Sequence, residues 1–450
     1  MPARRLIALV AVAFGVCAGG AAAAPPWTGE QDVSRAHLFV DPPRAIGFTG
    51  GGALTLARWQ DGIGEEATTG TAIAVRAPGA SAFSPPRPGP AHLVDVAAFG
   101  NRFVALLQPS DRRLRIAYGR ADGSLGPSRP LASGRRLAGA HIDAAPDGTI
   151  AAAWFDDRGF AHEGVRVAVR RPGHGMGRTL AFRTRRTFRV AVAAARGGRA
   201  IVVWNERDVV RARVKGAGRA SFGGTQTIRS APAYGAFTRA ALDASGRAVV
   251  AWSAQRLTEG GSRGPALLEA AVRPAGARRF RRAQLVDRRT PEQGAPPFDL
   301  ARAPDGRTAL AWAAGAELRV AFTDGGDRFG APQALSVAGR EAGGPALAAG
   351  PGGWAVVWSA IAPPTLSGDP AQVYAAFAPA AAEGDDAPLQ TPLFGPPEPV
   401  SEDHEANAGD VVFTDRGLLA AWSERPEGSR PAGGVDAVRT FARVAERPEP

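Results

Sequence analysis

Cysteine is all but missing from this sequence: Cys17 is the single thiol among 450 residues. It falls in a segment expected to be removed on export, so the remaining chain can form no disulfide, ligate no zinc through sulfur and offer no cysteine nucleophile. Stability has to come from packing. Lysine is nearly as rare, with Lys215 the one lysine among 54 basic residues. Long apolar runs are lacking too, since the stretch from Leu6 to Val16 is shorter than the roughly 20 residues a membrane-spanning helix needs. No glycine-rich phosphate loop follows a strand and opens a helix, and the six histidines show no zinc spacing. His141 and His404 are expected on one face of the fold. Asp156-Asp157 and the stretch from Asp324 to Asp327 could draw calcium but do not complete a calcium-binding loop, so no cofactor is expected.

What is present begins with the three parts of a secretory signal: Arg4 and Arg5, the apolar stretch, and the run Ala21 to Ala24 before Pro25. Residues 1–24 are read as that signal and 25–450 as one exported domain, secreted or held outside the cytoplasm, with no transmembrane segment. The formal charge is +12, and without Arg4 and Arg5 it is +10. Arginine, alanine, glycine and proline are all abundant, the usage of a very GC-rich, bacterial genome, so part of the basic excess is a codon effect. Arginines cluster around Phe280 and between Arg183 and Arg189. Such clusters can meet phosphates or acidic glycans, although charge runs are ordinarily solvated faces, and a nucleic-acid partner is not expected.

A short apolar run ending in tryptophan recurs along the chain. It closes at Trp59, Trp154, Trp204, Trp252, Trp312, Trp358 and Trp422, and Phe103 to Leu107 has the same character with leucine in the tryptophan's place. These eight units stand 46 to 64 residues apart. Gly148, Gly198, Gly246, Gly306 and Gly352 each stand six residues before their tryptophan, and Asn101 six before Leu107, marking a tight hairpin that needs positive φ. An apolar stretch precedes each turn. Alternating segments such as Val165 to Arg170 and Leu318 to Phe322 follow each tryptophan, and a fourth short segment comes after another glycine turn. Four short antiparallel strands in about 50 residues make one β-propeller blade.

The fold class read from this pattern is all-β: a single β-propeller of four-stranded antiparallel blades, eight in number, or seven if the Phe103 to Leu107 unit merges with a neighbour. The tryptophans are expected to fill the gaps between blades. The chain ends after a third strand, so an N-terminal segment, Ala36 to Val40, is expected to supply the missing outer strand and close the ring.

The turn from Thr323 through Asp324, Gly325 and Phe329 to Pro332 resembles the Asp-box of sialidase-like propellers, and the stretch from Asp122 to Pro127 and Ala82 to Pro85 carry fragments of it. In that family the box is a structural turn on the face opposite the active site, so the resemblance implies fold. A sialidase also needs an arginine triad, a glutamate-activated tyrosine and an acid/base aspartate. Only Tyr118, Tyr234 and Tyr374 could supply the phenol, and no arginine-isoleucine-proline motif stands near the first blade.

Turns between strands two and three share a face with the connections between blades, and these segments vary most in length, as binding loops on rigid scaffolds do. Just after the tryptophans stand Asp157-Arg158, Glu206-Arg207, Arg256 beside Gln255, and Glu424-Arg425. They are expected to ring the channel mouth and to hold a protein or glycan ligand, or else to cap their own loops as ion pairs. The expected function is a non-catalytic, monomeric binding or scaffold propeller. The alternative is a glycan-acting hydrolase or lyase that uses two carboxylates on the same face.

Overall fold

The computed structural model describes residues 27–446 except 35–38, 41–42, 49–50, 62–67, 157–163, 185–186, 188, 207–208, 231–233, 258–262, 324–325, 364–370, 381–390, 403–404, 415–416 and 426–437. The segment expected to be a signal, Asp157, Arg158, Arg207, His404 and the Asp324-Gly325 part of the turn that resembles an Asp-box lie outside the described residues.

The chain forms eight four-stranded antiparallel blades, in sequence order, with no helix among the described residues. None therefore crosses a membrane as a helix. Each blade runs outward from an innermost strand on the channel: Leu93–Phe99, Arg102–Ser110, Arg113–Arg120 and Arg129–Ser133 build the second blade, the unit that carries Leu107 for tryptophan. That unit is a complete blade, which makes the count eight.

Because blades stack face to face, both sides of each inner sheet are covered and the second strands are buried along their length, as in Ile150–Asp156. The core is accordingly divided into eight clusters, one at each seam. Trp154, Trp204, Trp252, Trp312, Trp358 and Trp422 each pack on the preceding blade and are at most 1% exposed. Trp59 departs from this pattern and is only half-buried. Opposite the other tryptophans the third strand carries a large residue, from Arg166 to Phe441, but opposite Trp59 it carries Gly70. A Cβ on Gly70 would fall 2.3 Å from the indole, so the ring lies over that bare backbone.

The hairpin turns use positive φ at Gly148, Gly198, Gly246 and Gly306 as expected. In the second blade the left-handed residue is Gly100 rather than Asn101, and in the seventh it is Gly353 rather than Gly352. Glycine one position away bears the strain at no steric cost, which relieves Asn101 of it.

The ring is closed by an N-terminal strand, but not by Ala36 to Val40. Gln31–Asp32 pairs antiparallel with Arg439–Glu446, the third strand of the last blade, and Trp27 bridges to Ala445. Phe39–Val40 instead pairs with Gln60 and Trp59 in the first blade. Chain reach explains the shift. From Val40 to Arg44 on the innermost strand the chain spans at most about 14 Å, no more than the three strand spacings it would have to cross. Starting from Asp32 leaves ample length.

Candidate functional site

The first strands of the eight blades line a central channel of about 460 Å³. On these otherwise apolar strands, one position faces the residue just before the tryptophan in every register after the first blade. It holds Asp95, His141, Ala191, Arg239, Asp299, Ala346 and Asp410. Five of these seven are polar, and Arg44 of the first blade and Asp143 of the third join them two residues deeper. The turn glycine stands six residues before the tryptophan, whereas strands such as Thr308–Ala314 end two residues after it. The ring therefore lies nearer the variable-loop end of the channel.

The aspartates also stitch the blades together. Asp95 Oδ2 accepts the N–H of Ile142 at 3.1 Å, Asp143 that of Ala194 at 2.7 Å, Asp299 that of Leu347 at 3.0 Å and Asp410 that of Ala45 at 3.1 Å. Each bond runs from one blade to the next, and the last one joins blade eight to blade one. Arg239 Nε meets Asp299 at 3.2 Å, His141 Nδ1 lies 3.4 Å from Asp95, and Arg44 reaches Asp95 at 3.8 Å with its side chain half exposed. Burial works against the Arg44 cation, but Asp95, Asp410 and Asp299 outweigh it and raise its pKa. Burial likewise opposes ionisation of Asp95, yet the His141 hydrogen bond and Arg44 hold its pKa below the ordinary value.

Asp143 and Asp410 make no ion pair among the described residues, and burial pushes both to about 6. A folded carboxyl pKa above the unfolded one means that ionisation destabilises the fold, so stability falls as pH rises from about 4 through 6. A rise of that size in a dry interior corresponds to about 3 kcal/mol. Both groups face the channel, so about 1 kcal/mol each is expected. Asp143→Asn and Asp410→Asn keep the oxygen that accepts the neighbouring N–H, and each is expected to stabilise the protein by about 1 kcal/mol at pH 7.5 but not at pH 4. Urea unfolding at the two pH values checks this, and an equal gain at both would rule the mechanism out.

The residues expected at the channel mouth have other surroundings. Glu206 is buried, and its carboxylate accepts the indole N–H of its own blade's Trp204 at 3.0 Å while pairing with Arg211 at 3.6 Å. Glu424 is buried in the same way and accepts the N–H of Trp422 at 2.8 Å. Glu269, on a third strand, serves Trp252 at 3.2 Å and pairs with Arg229 at 3.0 Å. The spacing tryptophan-x-glutamate is thus an indole clamp. Asp156 stands in that register below Trp154, but its carboxylate is one methylene shorter and turns to Arg166 at 2.6 Å instead. Arg256 lies on the strand Ala248–Leu257, and half-buried Arg425 ends Gly417–Arg425.

A second cavity of about 520 Å³ opens between blades one and two on the variable-loop face, bordered by Arg58, Trp59, Thr69, His92, Gln108 and Asp111. His92, in the connection between these blades, has φ 60° and is the one non-glycine residue at positive φ among those described. Left-handed backbone at a bulky residue persists only where its surroundings hold it; here the His92 carbonyl accepts the N–H of Gln108 at 2.8 Å.

No protein-family model matches the chain, and no curated protein matches it. Similar solved structures include the β-propeller domain of the Trilobed protease from Pyrococcus furiosus (8% identity, 76% of this chain and 95% of that one, TM-score 0.44). They also include the six-bladed fucose-recognising lectin of Aleuria aurantia (13%, 65% and 95%, TM-score 0.37) and the intramolecular trans-sialidase of Ruminococcus gnavus (10%, 96% and 100%, TM-score 0.36). The neighbours thus include peptidases, lectins and sialidases.

Proposed function

We propose that this is a non-catalytic binding propeller that engages a glycan or a protein through its variable-loop face, with the channel ring as the polar centre of the contact. One observation carries the reading: Arg44, Asp95, His141, Arg239, Asp299 and Asp410 converge from six blades on one cavity, and their charges are held in place by neighbouring blades. Pre-formed polar groups in a concavity are what ligand recognition requires. The same bonds argue against turnover, because the ring aspartates are engaged by backbone N–H groups, and Glu206 and Glu424 by indoles. Asp157, Arg158, Arg207, Arg256 and Arg425 are proposed as the rim of this surface, and the cleft beside Trp59 as its side wall. The chain acts as a monomer outside the cytoplasm.

A hydrolase or lyase acting on glycans is the second reading, favoured by one feature. Asp95 is held below and Asp143 above the usual carboxyl range, the split that general acid/base work on a glycosidic bond uses. A glycan array probed with the wild type and with Arg239→Gln, followed by mass spectrometry of the glycans, decides between them. Selective binding reduced at least tenfold in the variant, with intact glycans, is the expected result. Shortened glycans would transfer the assignment to the second reading, and binding indifferent to Arg239 would remove the channel from it.

A further inference from the structure

The opposite face of the ring, formed by the tight turns, carries a segregated charge. Over blades three to five, Arg171, Arg196, Arg219, Arg278, Arg279 and Arg281 are exposed there on or beside the turns. Two carboxylates stand among the turns of these blades, and both are occupied. Asp147 accepts the N–H groups of Thr149 and Gly197 at 2.9 and 2.8 Å, and buried Asp243 accepts from Ser245 and from the N–H of Arg247.

Three cations of these blades, Arg171, Lys215 and Arg273, are held by carbonyl oxygens instead. Arg171 donates to the carbonyls of Gly218 and Arg219 on the next blade at 3.2 and 2.8 Å, buried Lys215 to Gly198 at 2.7 Å, and Arg273 to Gly246 at 2.9 Å. Gln226 links blade four to blade five by donating to the carbonyl of Arg278 at 2.8 Å and accepting the N–H of Phe280 at 3.2 Å. A carbonyl orients a guanidinium without cancelling its charge. Burial and the nearby Arg171 cation both depress the Lys215 pKa, so the charges here repel one another. The patch ends at blade six, where Asp327 pairs with Arg281 at 2.9 Å. A codon-driven excess of arginine accounts for their number but not for this sorting, since Asp156, Glu206 and Glu269 of the same blades all lie toward the other face.

We infer that the turn face of blades three to five binds an acidic polysaccharide, whose carboxylate or sulfate groups meet the row of exposed guanidiniums. Arginine suits this role because its planar fork pairs with such groups in a bidentate manner. The surface lacks what a bilayer or a single-stranded nucleic acid needs. The exposed large apolar side chains among the described residues are Phe237, Leu285 and Leu393, none of them on these turns, so nothing is placed to enter a bilayer. Stacking of unpaired bases requires exposed aromatic rings, whereas Phe280 is packed against the cluster between blades four and five.

The test uses the exported chain and two probes, polygalacturonate and heparin, with binding measured from 50 to 300 mM salt. Arg196→Gln, Arg278→Gln and Arg279→Gln are combined in one variant, and Arg112→Gln with Arg113→Gln, exposed on the variable-loop side, form the control. The expected result is binding to both polymers that weakens with salt, an affinity about tenfold lower and a shallower salt slope in the triple variant, and unchanged melting temperatures. Affinity within twofold of wild type in the triple variant, or an equal loss in the control, overturns the inference. So does tighter binding to duplex DNA or to phosphatidylglycerol vesicles than to either polysaccharide. Failure of the variable-face ligand assay leaves this result readable, because the two sets of variants lie on opposite faces.

Discussion

Trp422→Ala is expected to lower stability by about 3–5 kcal/mol, the range for removing a fully buried large aromatic. Trp422 is 0% exposed and fills the seam between blades seven and eight, among Val357, Val373 and Phe377. It stacks on Phe441 with centroids 6.1 Å apart and planes 23° from parallel. Its indole N–H is also the donor that Glu424 faces inside the blade, so truncation leaves a buried carboxylate with one partner fewer. That places the expected cost toward the upper end. Trp422→Phe keeps most of the ring volume and loses the N–H, for which about 1–2 kcal/mol is expected. Urea unfolding followed by circular dichroism checks both. A loss under 1 kcal/mol for the alanine variant would mean that the seam clusters are not what holds the blades together.

Deleting the chain through Ser34 is expected to cost about 5 kcal/mol and to promote self-association. The segment contributes the Gln31 and Asp32 pairs, the bonds from Thr28 and Val33 to the carbonyls of Val444 and Thr440 at 2.8 and 2.9 Å, and the N–H of Thr440 donating to Ser34 at 2.8 Å. Gln31 reaches the first blade as well, accepting the N–H of Phe83 at 2.7 Å, and Val33 is 1% exposed at the seam. Burying Val33 is worth about 2 kcal/mol, and each hydrogen bond about 1. Without the segment, Arg439–Glu446 becomes an open edge strand, a template for pairing with another chain. Light scattering after size-exclusion chromatography and the urea midpoint read the two effects. A stable monomer with an unchanged midpoint would show that the closing strand is dispensable.

The blades were legible in the sequence because their signals are local: a tryptophan, a turn glycine six residues earlier, and apolar runs of strand length. The closing strand departs from the expectation because pairing across the whole chain leaves no local mark, and Ala36 to Val40 is more apolar than Gln31–Asp32, the strand that closes the ring. The expectation for the channel mouth rests on an acid beside an arginine, a pattern that at Glu206 and Glu424 belongs to the indole clamp. The channel ring left a fainter trace that can be read afterwards. Asp95, Asp143, Asp299 and Asp410 are carboxylates set among apolar residues in first strands, where an unpartnered carboxylate would be costly. A carboxylate recurring in that setting from blade to blade marks an axis-facing position.

The closing strand also sets an order of assembly. Gln31 pairs with Ala442, so a strand of the first blade's side of the seam is made long before its partner. Within the other blades, neighbouring strands are joined by short hairpins and form early, while this pairing and the Asp410 bond to Ala45, both of very high sequence separation, must wait. Until they form, the nascent chain is an arc with two bare ends, and anything that occupies the early strand in the interval competes with its own carboxyl-terminal blade.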